Sequence, residues 1–165
     1  MEWLFEGKIL DEENIPKWAI GFIYMITQKS TGKRYIGRKL LTKASRKTIN
    51  GKTKKTRIES DWKTYWSSSP EMKNIIKECG IDDFERVILT FVSSKGSLAY
   101  SEELALYLVG ALESDDWVNS NIRSKIYRSW VKKEEAKKLR EVLTLTRNDA
   151  TMLNSSKLVS DDAKD

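Results

Sequence analysis

Apolar and polar positions along the chain follow two rhythms. Gly21 to Thr27 is a short apolar run rich in aromatic and β-branched residues, and after Lys29-Ser30-Thr31-Gly32 the pattern resumes from Arg34 to Gly37. Two such runs separated by a glycine-bearing turn predict a β-hairpin. From Ser67 to Gly80 the period changes. Met72, Ile75 and Ile76 recur at helical spacing, Ser69 can cap the N-terminus, Pro70 suits the first helical position and Gly80 ends the run. Phe84 to Val92 alternates and then runs apolar, as a strand buried on much of both faces does. Leu98, Ala105, Leu108 and Leu112 form a helical stripe over 98–112. Val131 to Leu145 reads as a last, highly charged helix, and from Arg147 the Asp- and Ser-rich sequence loses all periodicity, so disorder is expected there. The predicted order is strand, strand, helix, strand, helix, without an internal repeat.

A length of 165 residues with 39% apolar content suits one domain with a modest core. The single Cys79 forbids an internal disulfide, and the absence of histidine excludes zinc sites of the Cys/His kind and every histidine-based catalytic scheme. Any bound metal must therefore sit on oxygen. No apolar run approaches the roughly 18 residues that span a bilayer, and Met1 to Lys17 is too charged for a secretory signal. A soluble, cytoplasmic protein without membrane contact is expected.

Charge sharpens this picture. The formal net charge is +6, and between Lys33 and Ile58 stand eleven Lys or Arg and no acidic residue, with Trp62, Tyr65 and Trp66 just beyond. A single-sign run of this kind is costly to keep together unless a polyanion meets it, and phosphate contacts release counterions. Arg38, Lys39, Lys43, Lys47, Lys52, Lys54, Lys55 and Arg57 are the candidate nucleic-acid contacts. A solvated loop is the bland alternative. The three aromatics are expected in the core rather than as stacking platforms.

The hairpin carries a motif. Phe22-Ile23-Tyr24, ten intervening residues, then Tyr35-Ile36-Gly37 resembles the signature of the GIY-YIG nucleases, with Phe22 at the first motif letter and Gly21 beside it. The resemblance covers Gly21 to Asn121. It implies a mixed α/β (α+β) fold, a three-stranded antiparallel sheet flanked by helices, and a metal-dependent endonuclease that hydrolyses phosphodiester bonds of DNA, double-stranded DNA first of all. The implied divisions are a lead-in over 1–20, the nuclease domain over 21–122, a basic helical extension over 123–146 and the tail over 147–165.

Residue by residue, the resemblance assigns the orientation of water and scissile phosphate to Tyr24 and Tyr35, and close backbone approach to the phosphate to Gly37. It implies one Mg²⁺ or Mn²⁺ on a helical glutamate. Glu102 is the first choice and Glu103 the alternative, since adjacent helical residues lie about 100° apart and only one would face the cleft. An Asn beyond that helix is implied at Asn119, with Asn121 as alternative and a plain turn residue as the bland reading. The catalytic arginine, implied on the first helix, falls nearest to Arg46, while Arg38 and Lys39 directly follow Gly37. The segment "ESDWKTYWSSS" resembles phage-encoded stand-alone or homing members of the family. Arg123, Lys125, Arg128, Lys132 and Lys133 could extend the basic face. Two rivals stand beside the nuclease: a non-catalytic nucleic-acid-binding module with the same fold, and a factor that meets an acidic protein.

Overall fold

The computed structural model describes residues 2–49, 52–122, 132, 134–135 and 137–144. Its centre is the predicted hairpin, strands β3 (Gly21–Gln28) and β4 (Arg34–Leu40), with β7 (Phe84–Val92) antiparallel on the far side of β3. Gly32, at φ 75°, takes the left-handed turn conformation that the glycine in the predicted turn permits.

Strand alternation splits the core in two. Phe22, Tyr24 and Ile26 face Trp3, Trp62, Met72 and Phe84, whereas Ile23 and Met25 face Leu98, Ala105 and Leu106 on the opposite side. Burial of both faces explains why β3 reads as a nearly continuous apolar run.

The three predicted strands form part of a larger sheet. Strands β1 (Leu4–Phe5) and β2 (Lys8–Ile9) add to it in the order β2-β1-β7-β3-β4, with β1 parallel to β7. The stretch expected as a lead-in thus contributes Trp3, 3% exposed, whose indole donates to the Trp62 carbonyl at 2.8 Å. Two-residue strands are too short to show an alternating pattern.

A second departure concerns the basic run. It forms a two-stranded antiparallel hairpin, β5 (Thr42–Ile49) and β6 (Lys52–Glu59), separate from the main sheet. No apolar alternation marks these strands in the sequence.

Helix α1 (Pro70–Cys79) matches its prediction, with Ser69 Oγ accepting from the Met72 amide at 3.3 Å. Helix α2 (Lys95–Leu108) begins one turn earlier than predicted, because Ser94 caps it by accepting from the Ser97 amide at 3.0 Å. It ends before Leu112, which is 54% exposed, with Gly110 at φ 62° just past the end. Residues 134–135 and 137–144 are helical, and Leu139 and Leu143 join the α2-side core. Glu135 accepts from the Ser93 hydroxyl at 2.6 Å and from the Ser97 hydroxyl, which fastens this segment to the start of α2. The expectations for Arg123, Lys125, Arg128, Val131, Lys133 and the 147–165 tail lie outside the described residues; Lys132 is exposed. Among the described residues no helix is long and apolar enough to cross a membrane.

Candidate active site

Strand β4 is an edge strand, so side chains from its two faces can meet around its open side. Tyr35 and Arg38 do so, converging with Glu102, Glu103 and Leu106 of α2, with Ser68 and Ser69 before α1, and with Asn119 to Asn121 on a cavity of about 310 Å³. Arg38 Nε lies 3.1 Å from a Glu102 carboxylate oxygen. Burial raises the Glu102 carboxyl above its ordinary value, while Arg38 opposes that shift and Glu103 adds to it.

Glu102 and Glu103 line the same cavity, although helical geometry suggested that only one could reach it. Both fit because the cavity wraps along the α2 face that also carries Leu106. The Glu103 side chain is 8% exposed, and its Oε1 is buried without a hydrogen-bond partner among the described residues. An unpaired buried carboxylate oxygen is expensive, and a hard cation would satisfy it. The surrounding donors are oxygens, the set Mg²⁺ and Mn²⁺ prefer, and a site of one or two carboxylates completed by water and substrate phosphate is usual for Mg²⁺. The residues present therefore fit a single divalent ion at Glu102 and Glu103.

The two motif tyrosines differ in exposure to this cavity. Tyr35 lines it, whereas Tyr24 stands behind, 1% exposed, with ring centroids 6.2 Å apart. Burial pushes the Tyr24 hydroxyl well above its ordinary range, assisted by the phenols of Tyr35 and Tyr65. Burial also raises Tyr35, with Glu102 acting in the same direction and hydrogen bonding from Ser67 opposing both. Both phenols are consequently neutral around pH 7 and can donate hydrogen bonds.

Gly37 packs against the tyrosine pair. It sits directly opposite Tyr24 in the β3–β4 register. A Cβ on Gly37 would collide with the Tyr24 hydroxyl, come within 2.6 Å of Tyr24 Cζ and within 2.9 Å of Tyr35 Cε1. The space a Gly37 side chain would need is filled by the tyrosine pair.

Asn119 closes the strand edge. Its side-chain oxygen accepts from the Ile36 amide at 2.9 Å, and its nitrogen donates to the Ile36 carbonyl at 2.8 Å. Upstream, the Arg34 amide donates to Asp116 and the Val118 amide to Arg34, both at 2.8 Å, so 116–119 runs along β4 as a surrogate strand. The Asn121 side chain donates instead to Ser120 Oγ at 3.3 Å, in an exposed position.

Arg46 is not on a helix. It lies in β5, opposite Lys55, and is absent from the cavity, because the basic insertion extends as a hairpin before the first helix forms. Arg38 occupies the place by Glu102 instead. Lys39 bonds Asp61 at 2.7 Å and sits 3.6 Å from the Tyr65 ring centre. Lys43, Lys47, Lys52, Lys54, Lys55 and Arg57 belong to the β5–β6 hairpin, apart from the cavity. Trp62 is in the core and Tyr65 and Trp66 pack against it, as expected.

Two further residues support the site. Ser67, 1% exposed, hydrogen-bonds in the tyrosine cluster. Arg86, 3% exposed, lies between the Trp3 and Trp66 rings and donates to the carbonyls of Tyr65 at 2.7 Å and Lys63 at 2.8 Å, which holds the loop bearing Ser67 and Ser68 against the sheet. Burial lowers its guanidinium to about 10, still charged at neutral pH. A charged residue in register with inward-facing Phe84 and Ile88 of β7 was the available sequence signal for Arg86; Ser67 had none.

Residues 3–122 match the family model described as "Putative endonuclease segE, GIY-YIG domain". The chain belongs to this GIY-YIG family, and its mixed α+β architecture agrees with that nuclease fold. The membership indicates an endonuclease-type hydrolase acting on nucleic acid, in a family whose nucleases generally depend on a divalent metal. No curated protein and no solved structure gives a significant match.

Proposed function

We propose that the chain is an endonuclease that hydrolyses phosphodiester bonds of double-stranded DNA at the cavity between β4 and α2, using Mg²⁺ or Mn²⁺. The observation that carries this reading is the Arg38–Glu102 pair at 3.1 Å, in one cavity with Tyr35, Glu103 and Asn119 inside the family-matched segment. Glu102 would hold the metal together with Glu103, whose buried oxygen otherwise lacks a partner among the described residues. When bound, such an ion supplies Lewis acidity to a phosphoryl oxygen.

Arg38 then has two anions to serve. Its Nε faces Glu102, and the remaining guanidinium donors can take a phosphate oxygen, stabilising the charge that develops in the pentacovalent transition state. Tyr35 Oη is the phenol at the cavity. Being neutral, it holds the attacking water and scissile phosphate in place by hydrogen bonds; it does not begin the reaction as a phenolate. Tyr24 positions Tyr35 from behind, Gly37 makes room for both rings, and Asn119 fixes the backbone of β4 between Tyr35 and Gly37.

A supercoiled-plasmid nicking assay in Mg²⁺ and in EDTA tests the reading. Metal-dependent nicking is expected, with Glu102→Gln slower by at least about 100-fold, the scale for losing one preorganised electrostatic group. Undiminished nicking by Glu102→Gln would reject the proposed metal site. Absence of nicking by the wild type, with salt-sensitive plasmid retention, would favour a non-catalytic binding module.

A further inference from the structure

We propose that the β5–β6 hairpin is an arm that lies in the major groove of a duplex on one side of the scissile phosphate, an inference that rests on the nuclease reading. Its register is the first argument. Arg46 stands opposite Lys55, and Lys47 opposite Lys54. Like charges directly opposite each other destabilise a β-ladder, and a two-stranded hairpin is marginal to begin with. Between Thr42 and Glu59 there are seven Lys or Arg and a single acid. That acid, Glu59, is engaged at the base of the arm by Lys63 at 3.1 Å and the Trp62 indole at 3.0 Å. Residues 42–59 thus hold no acid besides Glu59 to offset seven cations, the charge balance that a polyanion would complement.

Aromatic content separates duplex from single strand. Recognition of unpaired bases uses aromatic stacking platforms, and residues 42–59 contain no Phe, Tyr or Trp. A duplex backbone needs only cations, and Lys43, Arg46, Lys55 and Arg57 are exposed. A major groove about 12 Å wide admits a two-stranded ribbon. At about 3.3 Å per residue, strands of eight residues reach roughly 26 Å, or about eight base-pair steps of about 3.4 Å.

The base of the arm sets its direction. Buried Leu41 joins β4 to β5, its amide donating to Ile20 at 3.0 Å and its carbonyl accepting from Ser60 at 2.9 Å, while Ser60 Oγ donates to Leu40 at 2.6 Å. Beside this base lies a second cavity of about 650 Å³, lined among others by Arg38, Lys39, Lys43 and Lys95. Arg38 lines this cavity and the Glu102 cavity alike. Asp61, paired with Lys39, lines the second cavity too, and the Glu102 cavity is joined to the base of the arm through Arg38.

The test compares Arg46→Ala/Lys55→Ala/Arg57→Ala with wild type and with Lys73→Ala/Lys77→Ala, two exposed cations of α1 that serve as a control for charge lost away from the arm. Binding to a labelled duplex of about 30 base pairs, and to one of its strands, is followed by fluorescence anisotropy in EDTA across a salt series. The arm variant should lower the slope of log affinity against log salt on duplex by about 2.7, at about 0.9 per phosphate contact. Methyl green in the major groove should displace the wild type, and netropsin in the minor groove should not. An unchanged slope, an equal change in the α1 control, an equal loss on single strand, or displacement by netropsin alone would overturn the proposal. Wild-type plasmid nicking in Mg²⁺ is scored separately: its absence rejects the nuclease reading, whereas nicking with an unchanged arm slope rejects the arm alone.

Discussion

Strands β4 and β5 follow one another with only Leu41 between them, and they use their cations in opposite ways. On β4 each cation has a fitted neighbour: Arg34 lies 5.0 Å from the Trp117 ring centre, Arg38 3.1 Å from Glu102, and Lys39 2.7 Å from Asp61. On the β5–β6 hairpin cations face cations across the ladder. The same residue types are thus individually partnered in one strand and set opposite one another in the next. The difference comes from surroundings. Strand β4 packs on β3 and receives α2 and Asn119, whereas the hairpin stands apart from the main sheet.

The comparison can be broken first through stability. Gly37→Ala places a methyl group against two buried tyrosines and should cost about 1–3 kcal/mol, the range for overpacking, in urea unfolding. Adding Tyr24→Phe removes the nearest colliding atom and should return part of that loss. Lys55→Ala in the arm should stay within about 0.5 kcal/mol, as exposed substitutions do. Equal costs at Gly37 and Lys55 would erase the distinction between the two regions.

A smaller effect sharpens it through pH. The Glu102 carboxyl is raised by burial, and it must be ionised to hold a metal, so cleavage should fall with acidification from above the ordinary value of 4.5. Arg38 lowers that carboxyl, so Arg38→Met should move the acid limb to higher pH, whereas Lys55→Ala should leave its position alone. An acid limb that stays in place in Arg38→Met would mean that Glu102 does not govern it.

Much of this was legible where local chemistry and fold agree. The β3–β4 hairpin announces itself by aromatic and β-branched runs around Gly32, and α1 by Ser69, Pro70 and Gly80. Tyr24, Tyr35, Glu102 and Asn119 could be selected from the motif resemblance, and Tyr35, Glu102 and Asn119 converge on one cavity with Tyr24 directly behind. The β5–β6 hairpin carries no apolar alternation from which strands could be predicted, although Asn50-Gly51 is a sequence signal for a two-residue hairpin turn. The helical position expected for Arg46 does not occur because 42–49 is strand, and Arg38 stands beside Glu102 instead. The shared cavity of Glu102 and Glu103 depends on how α2 docks against the β4 edge, which no local pattern encodes.

The most direct test sets Arg38→Met against Arg46→Met in single-turnover cleavage of a duplex at saturating protein. Arg38→Met should slow the chemical step by about 100-fold or more, the scale for an electrostatic group preorganised on the transition state, while the defect of Arg46→Met should appear in the protein concentration needed to reach saturation. A chemical step lost in Arg46→Met and retained in Arg38→Met would contradict the account and place the catalytic guanidinium on the arm.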